Sequence, residues 1–499
     1  MSCQKEKKYF TTAISYTNGD PHMGHAYESV ITDVLARYHR VYGRDVFYLT
    51  GTDEHGQKIA NLALSQNKQA IEICDYYSNK FIELNQILNT TSDFFIRTTS
   101  EKHKECVRKV YKKSFENGDI YIGNYEGWYN VREETYVTEL EASLTNYKDS
   151  VTGKPLSKQN NESYFFRLSK YKDAIIQHII NNPDFIQPEA KKNEILLKLS
   201  DDLHDLSISR TNFEWGIKIP ESENHVMYVW FDALVNYLSG INYFDNSETQ
   251  KYWENTIHIV GKDITWFHCV IWPAILMSVG ISLPKTIFSH GFVCDKHGKK
   301  MSKSIGNVVC PFDIVKKYGS DAFRYYVAKE AVLGSDLLFN ESSLILAHNS
   351  DLANTIGNLA HRIMKLSEKY NDCVILDVAP EDYINVEIFK NKIDEYINNF
   401  KIRESIEYIM ENVRNLNKYI TDVKPWELEE NKRNVMIRTE LEVLYFLTHF
   451  LYPIIPYSCD KIFEKLNTKM INIQDFKTLN NMKVGTKMTV GKVLFDKIK

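Results

Sequence analysis

The sequence predicts an α/β fold: a doubly wound parallel sheet, split by an insertion and followed by an all-α bundle. Three features lead there. The chain opens on a strand–helix–strand pattern. A polar, turn-rich stretch from roughly Gly118 to Pro220 then breaks the pattern, and from about Asn340 long helical stripes run on with few glycines.

Lys8 to Ile14 reads as the first strand, and Asn18-Gly19-Asp20-Pro21 is a strong turn signal. A helix is expected to begin near Gly24, because Tyr27, Val30, Ile31, Val34, Leu35 and Tyr38 recur at i, i+3 and i+4 and give one apolar face. Gly43 ends it, and Asp45 to Thr50 makes a second strand. Strand, helix, strand is the βαβ unit from which parallel sheets are built. His22 and His25 then sit at the mouth of a helix, where free amides and the dipole favour an anion. Within the insertion, Val151-Thr152-Gly153-Lys154-Pro155 is typical of the polar turns between short helices. Val226 to Phe231 and Thr256 to Val260 are expected to return to the sheet as strands. Cys269 to Leu276 is the most apolar run, and with Pro273 inside it reads as a buried element. In the last third, Leu352, Ile356, Leu359, Ile363 and Leu366 form one stripe and Ile402, Ile406, Ile409, Val413 and Leu416 another, as a helical bundle requires.

At 499 residues the chain exceeds what one hydrophobic core serves, so roughly two to four domains are expected. No stretch approaches the ~18 uninterrupted apolar residues of a membrane span. A net charge of −4 argues against indiscriminate nucleic-acid binding, but leaves room for one shaped RNA partner held by local patches. None of the eight cysteines pair as Cys-x-x-Cys, so no zinc knuckle or redox motif is visible. Scattered cysteines behind a start without a signal-like apolar segment fit a reducing compartment and a cytoplasmic protein, or an organellar one whose transit segment has been trimmed.

Two short segments carry chemistry. In His22-Met23-Gly24-His25, two imidazoles three residues apart flank a glycine that lets a phosphate chain approach the backbone. Their N–H groups, with the helix terminus, suit charge that builds on an α-phosphate during nucleotidyl transfer. Far downstream, Lys300-Met301-Ser302-Lys303-Ser304 lies between Gly298 and Gly306, which permit a loop to close over a nucleotide. Lys300 and Lys303 would offer ammonium groups to a triphosphate as pyrophosphate leaves. Taken singly, the histidines could be a helix cap and the lysines a solvated loop; their joint occurrence in this order favours nucleotide chemistry.

With these segments, the chain resembles the methionyl-tRNA synthetases, class I aminoacyl-tRNA synthetases, from end to end. Ala13-Ile14-Ser15-Tyr16-Thr17-Asn18-Gly19, Thr50-Gly51-Thr52-Asp53-Glu54-His55-Gly56, Tyr228-Val229-Trp230-Phe231-Asp232-Ala233, Gly261-Lys262-Asp263 and Phe267-His268 match that family's segments in order. So do Asn358-Leu359-Ala360-His361-Arg362 and Pro425-Trp426. Met23 replaces the more usual leucine or isoleucine at an apolar position.

The resemblance implies a ligase that activates L-methionine with ATP and Mg2+ to methionyl-adenylate, then passes it to the 3′ end of tRNA(Met). It implies His22, His25, Lys300 and Lys303 as catalytic groups. Gly24, Gly261, Lys262, Asp263, His290, Gly291 and Ser302 would join them around ATP. Asp53 would hold the methionine ammonium. Ile14, Tyr16, Trp230, Ala233, Leu234, Tyr237, Phe267 and His268 would wall the thioether, where polarizable aromatic contacts help. Asn358 and Arg362, one helical turn apart, would read an anticodon base, with Trp426 after Pro425 stacking on another.

The expected domains are 1–117, the first half of a Rossmann-type catalytic domain; 118–222, a connective insertion; 223–289, the second half; 290–345, the Lys-Met-Ser-Lys-Ser loop and stem-contact region; and 346–499, a helical anticodon-binding domain. Many family members carry a cysteine-built zinc knuckle in the insertion, whereas Glu126-Gly127-Trp128-Tyr129-Asn130 has no cysteine nearby, so no structural zinc or other protein-held metal is expected. With no appended domain after the bundle, a monomer is expected. The rivals are another His-x-Gly-His nucleotidyl transferase, another class I synthetase, or a noncatalytic tRNA-binding derivative. The large editing insertion of the leucine, isoleucine and valine enzymes has no room here, and the cysteines are wrongly spaced for the cysteine enzyme's zinc site.

Overall fold

A computed structural model describes residues 5–130, 135–137, 139–149, 153–211, 213–299, 301, 307–332 and 334–499. The first strand, β1 (Lys7–Thr12), is buried along nearly its whole length, as an interior strand of a parallel sheet must be. After the short β2 (Ser15–Tyr16), helix α1 (Met23–Tyr42) packs its Val30, Ile31, Val34 and Leu35 face inward and stops at Gly43. β3 (Asp45–Asp53) returns beside β1, with Lys7 opposite Asp45 and Thr11 opposite Leu49. The sheet is completed by β4 (Phe94–Arg97), β5 (Ile186–Gln187), β6 (Thr256–Gly261) and β7 (Thr286–His290). All pairings are parallel, in the order β2-β3-β1-β6-β7-β5, with β4 also on β3. The chain places β2 to β4 on one side of β1, then crosses to the other, where β5 takes the far edge and β6 and β7 fill the space between it and β1. The β1/β6 junction is therefore a topological switch point, where doubly wound sheets open a crevice at the carboxyl ends of their strands.

Val226 to Phe231 does not return to this sheet. Val226 belongs to a strand, Ser222–Met227, in a separate three-stranded antiparallel sheet, and Val229–Leu234 is a short helix. A brief apolar run is equally compatible with buried strand and buried helix, and periodicity cannot separate them. Thr256 to Val260 is a sheet strand as expected, and the run holding Pro273 is a buried helix, Trp272–Ser278, with the proline in its first turn.

Within 118–222, two long antiparallel strands, Ile120–Asn130 and Ser157–Phe166, form the core of a four-stranded sheet. β5 comes from the same stretch of chain and joins the main sheet. The C-terminal bundle contains Asn358–Asn371, Val386–Asn398, Ile402–Val423, Glu430–Leu451 and Pro456–Leu466. Leu352, Ile356, Leu359 and Ile363, and all five residues of the second stripe, are buried in it. One apolar cluster runs continuously from the α1 face of the sheet into the bundle, and a second fills the opposite face toward the insertion. Among the described residues no helix is long and apolar enough to cross a membrane.

Candidate active site

A cleft of about 330 Å³ opens at the carboxyl ends of β1, β6 and β7, at the switch point. His22 is the N-cap of α1, and its Nδ1 accepts the Gly24 N–H at 3.1 Å. His25 Nδ1 in turn accepts the His22 N–H at 3.1 Å, and the two rings stack with centroids 3.8 Å apart. Each Nδ1 is thus an acceptor, so a neutral ring carries its proton on Nε2. Burial, with His22 alongside, pushes the His25 pKa well below its ordinary value and keeps that ring neutral. The result is a pair of oriented Nε2–H donors over a helix N-terminus. Gly24 allows this arrangement: a Cβ there would lie 3.0 Å from the His22 ring.

The turns after β6 and β7 form the facing wall. Gly261, Asp263, His290 and Gly291 line the cleft. A side chain at Gly291 would fall 2.1 Å from the Ser335 carbonyl oxygen, so no other residue fits. Lys262 is not brought to the cleft: its Nζ pairs with Asp336 Oδ1 at 2.6 Å and lies over the Phe292 ring. Lys300, Ser302 and Lys303 fall outside the described residues, as does Gly306, while their neighbour Met301 lines the cleft.

Glu28 is a cleft residue that sequence reasoning passed over. Its Oε1 accepts the Ala13 N–H at 2.8 Å and its Oε2 lies 2.8 Å from His290 Nε2. His290 Nδ1 is 2.8 Å from the Gly291 carbonyl oxygen, which can only accept, so Nδ1 carries a proton. Burial raises the Glu28 pKa. Burial also opposes a charged His290, but the bond to Glu28 outweighs it and raises that pKa too, so the pair keeps a proton between its members. The signal lay in the spacing: Glu28 is three residues past His25, on the same side of the helix.

The residues expected to receive methionine converge on the same cleft. Ile14, Tyr16, Asp53, Trp230, Ala233, Leu234, Tyr237 and His268 all line it, together with Ala13 and Asn236. Phe267 does not; it stacks flat on Trp230 at 3.8 Å and 11°, and lines a second cavity of about 500 Å³ toward the insertion. Its part is to back the Trp230 ring. His268 Nδ1 lies 3.0 Å from the Ile264 carbonyl oxygen, so it donates there, and Nε2 accepts the Tyr237 hydroxyl at 2.7 Å. Burial lowers the His268 pKa to about 4, so the ring is neutral at physiological pH. The same cleft therefore presents the Asp53 carboxylate and an uncharged aromatic and aliphatic wall. That suits a zwitterion with a soft, apolar side chain.

In the bundle, Asn358 and Arg362 both reach one residue of the neighbouring helix. Asn358 Nδ2 is 3.4 Å from Asn417 Oδ1, and Arg362 donates to the Asn417 carbonyl at 3.0 Å and to Thr421 Oγ1 at 3.1 Å. Pro425 is buried, whereas Trp426 is 52% exposed, more than a bundle anchor would be. Among the described residues no group of three or more His, Cys, Asp or Glu side chains is placed to hold a metal ion.

Comparison with known proteins is consistent along the whole chain. The family model for class I tRNA synthetases (M) matches residues 8–145 and 137–364, and that for the anticodon binding domain of methionyl tRNA ligase matches 381–499. A methionine–tRNA ligase of Thermotoga maritima is 38% identical over 506 residues, covering 99% of this chain and 80% of the relative. Another, from Rickettsia typhi, is 40% identical over 510 residues, covering 99% and 100%. Mycobacterium tuberculosis methionyl-tRNA synthetase in complex with methionyl-adenylate superposes with a TM-score of 0.91 at 35% identity, covering 98% of this chain and 99% of that one.

Proposed function

The chain belongs to the class I tRNA synthetase family for methionine, and from that premise we propose how its residues join methionine to tRNA. The enzyme is a two-step ligase. The methionine carboxylate attacks the α-phosphorus of ATP in line; the bond to the bridging oxygen breaks, and pyrophosphate leaves with the electron pair. The terminal ribose hydroxyl of tRNA then attacks the methionyl carbonyl and AMP departs. Neither step needs a side-chain nucleophile, so the protein contributes position and electrostatics.

One observation carries the assignment of roles: a carboxylate, an aromatic wall and two oriented imidazole donors line a single cleft at the switch point. Asp53 takes the methionine ammonium. Trp230, backed by Phe267, and the Tyr237–His268 pair take the thioether, with Ile14, Tyr16, Ala233 and Leu234 closing the sides. The carboxylate then faces the α1 N-terminus, where the Nε2–H groups of His22 and His25 meet the charge growing on the α-phosphate oxygens. Gly261, Asp263 and the His290–Gly291 turn hold the nucleoside side of ATP, with Glu28 fixing His290. Lys300, Ser302 and Lys303 take the departing pyrophosphate. Lys262, paired with Asp336, frames the ATP wall from outside. ATP enters as its magnesium complex, since the ion's preferred ligands are phosphate oxygens and water.

Asn358, Arg362 and Trp426, with Pro425 fixing the turn, read the anticodon of tRNA(Met). The boundaries 1–117, 118–222, 223–289, 290–345 and 346–499 divide the chain by role, and the insertion works without zinc. Cys74, Cys106, Cys269, Cys310, Cys373 and Cys459 are thiols outside any disulfide, which supports a cytoplasmic location. The active unit is a monomer, which light scattering at working concentration would check.

The roles separate experimentally. Lys303→Ala should lower the rate of ATP–pyrophosphate exchange about 100-fold while leaving the KM for methionine near its original value. Asp53→Asn should do the reverse, raising that KM roughly 10- to 100-fold through loss of a charge-assisted bond. Intact turnover in the lysine variant, or an unmoved KM in the aspartate variant, would refute the corresponding role.

A further inference from the structure

Behind the methionine wall runs a row of four polar side chains that the mechanism does not use. Ser239 Oγ meets His103 Nδ1 at 2.8 Å, His103 Nε2 meets Asp232 Oδ1 at 2.7 Å, and His55 Nδ1 meets Asp232 Oδ2 at 2.6 Å. All four are buried, and Asp232 and His103 have no solvent exposure. The row crosses three stretches distant in sequence: the turn after β3, the helix Glu101–Glu116, and the successive short helices Val229–Leu234 and Asn236–Ser239. Two of these segments carry the ends of the methionine subsite. His55 lies two residues past Asp53, and Asp232 lies between Trp230 and Ala233.

A fully buried carboxylate is costly unless its charge is compensated. Burial alone would push the Asp232 pKa up, but the charges and hydrogen bonds of His55 and His103 overcome it and bring the value to about 2. Hydrogen bonds to an ionised acceptor in a dry interior are short, strong and directional, whereas the apolar packing around them is not. The helix that carries Asp232 is six residues long and has no side-chain cap, too short to hold itself in water. Its position is set by what it touches, and its only carboxylate is held from both oxygens. On the other side, the His55 ring sits edge-on to Trp215, which reaches the Glu54 carbonyl and packs in the same small cluster as Tyr16. Both flanks of the subsite are thereby tied to one buried charge.

We propose that Asp232 is a positioning residue for methionine selection: through His55 it fixes the separation between the Asp53 carboxylate and the Trp230 wall, and so the length of side chain admitted. This rests on the assignment of Asp53 and Trp230 to methionine. Asp232 touches no substrate; it acts on the two residues that do.

The test is ATP–pyrophosphate exchange with methionine and with its ethyl homologue ethionine, in the full chain and in Asp232→Asn, His55→Asn and the double variant. Asp232→Asn is expected to raise the KM for methionine about 10-fold and to narrow the preference for methionine over ethionine, while kcat and the KM for ATP stay unchanged. His55→Asn is expected to do the same, and the double variant to be no worse than either single one, because the pair acts as a unit. A folded Asp232→Asn enzyme with unchanged methionine KM and unchanged preference would overturn the proposal and leave Asp232 a core residue. Equal losses in kcat and in both KM values would overturn it as well, since they mark general distortion. If Asp232→Asn does not fold, His55→Asn decides alone by the same two readouts. Asp53→Asn, run alongside, separates the failures. With the expected rise there and none in Asp232→Asn, only the positioning role falls; with no rise in Asp53→Asn, the subsite assignment falls and the proposal with it.

Discussion

Each histidine of the His22/His25 pair has its Nδ1 committed to a backbone N–H, so what the cleft receives is a donor and never a base. His22→Ala should therefore cost about 100-fold in exchange rate with little change in methionine KM, and raising the pH should not restore it. His268 is committed in the opposite sense, donating from Nδ1 and accepting at Nε2. Because its pKa lies near 4, below the ordinary 6.5, the unfolded chain takes up this proton before the folded protein does. The stability tied to His268 is thus fully present above pH 6.5 and lost as pH falls toward 4; the KM for methionine should be flat from pH 6 to 8 and rise only as pH approaches 4. Much of this was legible in the sequence, because side-chain chemistry and close spacing are local. Glu28 was missed although its spacing from His25 was on view. Position in a motif points Lys262 and Phe267 at the cleft, yet which way a side chain turns depends on partners such as Asp336 and Trp230 that lie elsewhere in the chain.

At the scale of elements, α1 was readable because three signals agree: a turn before it, a regular apolar face and Gly43 after it. Val226 to Phe231 reads as a strand but is half strand and half helix, because a run of six apolar or aromatic residues has no period long enough to show. The Asp232 row could not be read at all, since its partners are 129 and 177 residues away. In the bundle, the helix Glu430–Leu451 holds an acid where an apolar residue would be ordinary. Glu440 has no solvent exposure, and neither of its carboxylate oxygens has a hydrogen-bond partner among the described residues. Burial raises its pKa from the ordinary 4.5 to about 8, against the opposing charge of Arg362. Over that window the unfolded chain has released a proton that the folded protein retains, so stability falls as pH rises through it. Glu440→Gln should match the parent at pH 4 and be the more stable protein at pH 8, the gap opening by up to about 1.4 kcal/mol per pH unit between. Urea denaturation at several pH values checks this; a constant gap would contradict it.

Across the whole molecule, the catalytic sheet and the bundle are joined through a buried ion cluster midway along α1. Asp33 Oδ2 lies 2.7 Å from both Arg37 Nε and Arg324 Nη2. Arg324 also donates to the carbonyls of Pro453 and Ile454, which lead into the last bundle helix, and to that of Leu88. Burial opposes the charge on Asp33, but the arginines prevail and lower its pKa. Arg324→Leu should cost about 3–5 kcal/mol of stability, because it leaves the Asp33 charge half compensated and three carbonyl acceptors without their donor. Thermal unfolding monitors this, and a loss below about 1 kcal/mol would mean that the Asp33 cluster is not what joins the two parts. The helix that carries His22 and His25 is the same one that the bundle grips, so the cleft and the bundle share a frame. ATP–pyrophosphate exchange with each of the twenty amino acids, in magnesium and without tRNA, tests the methionine assignment most directly. Exchange with methionine alone is the predicted result; exchange with a different amino acid, or with none from folded protein, would contradict it.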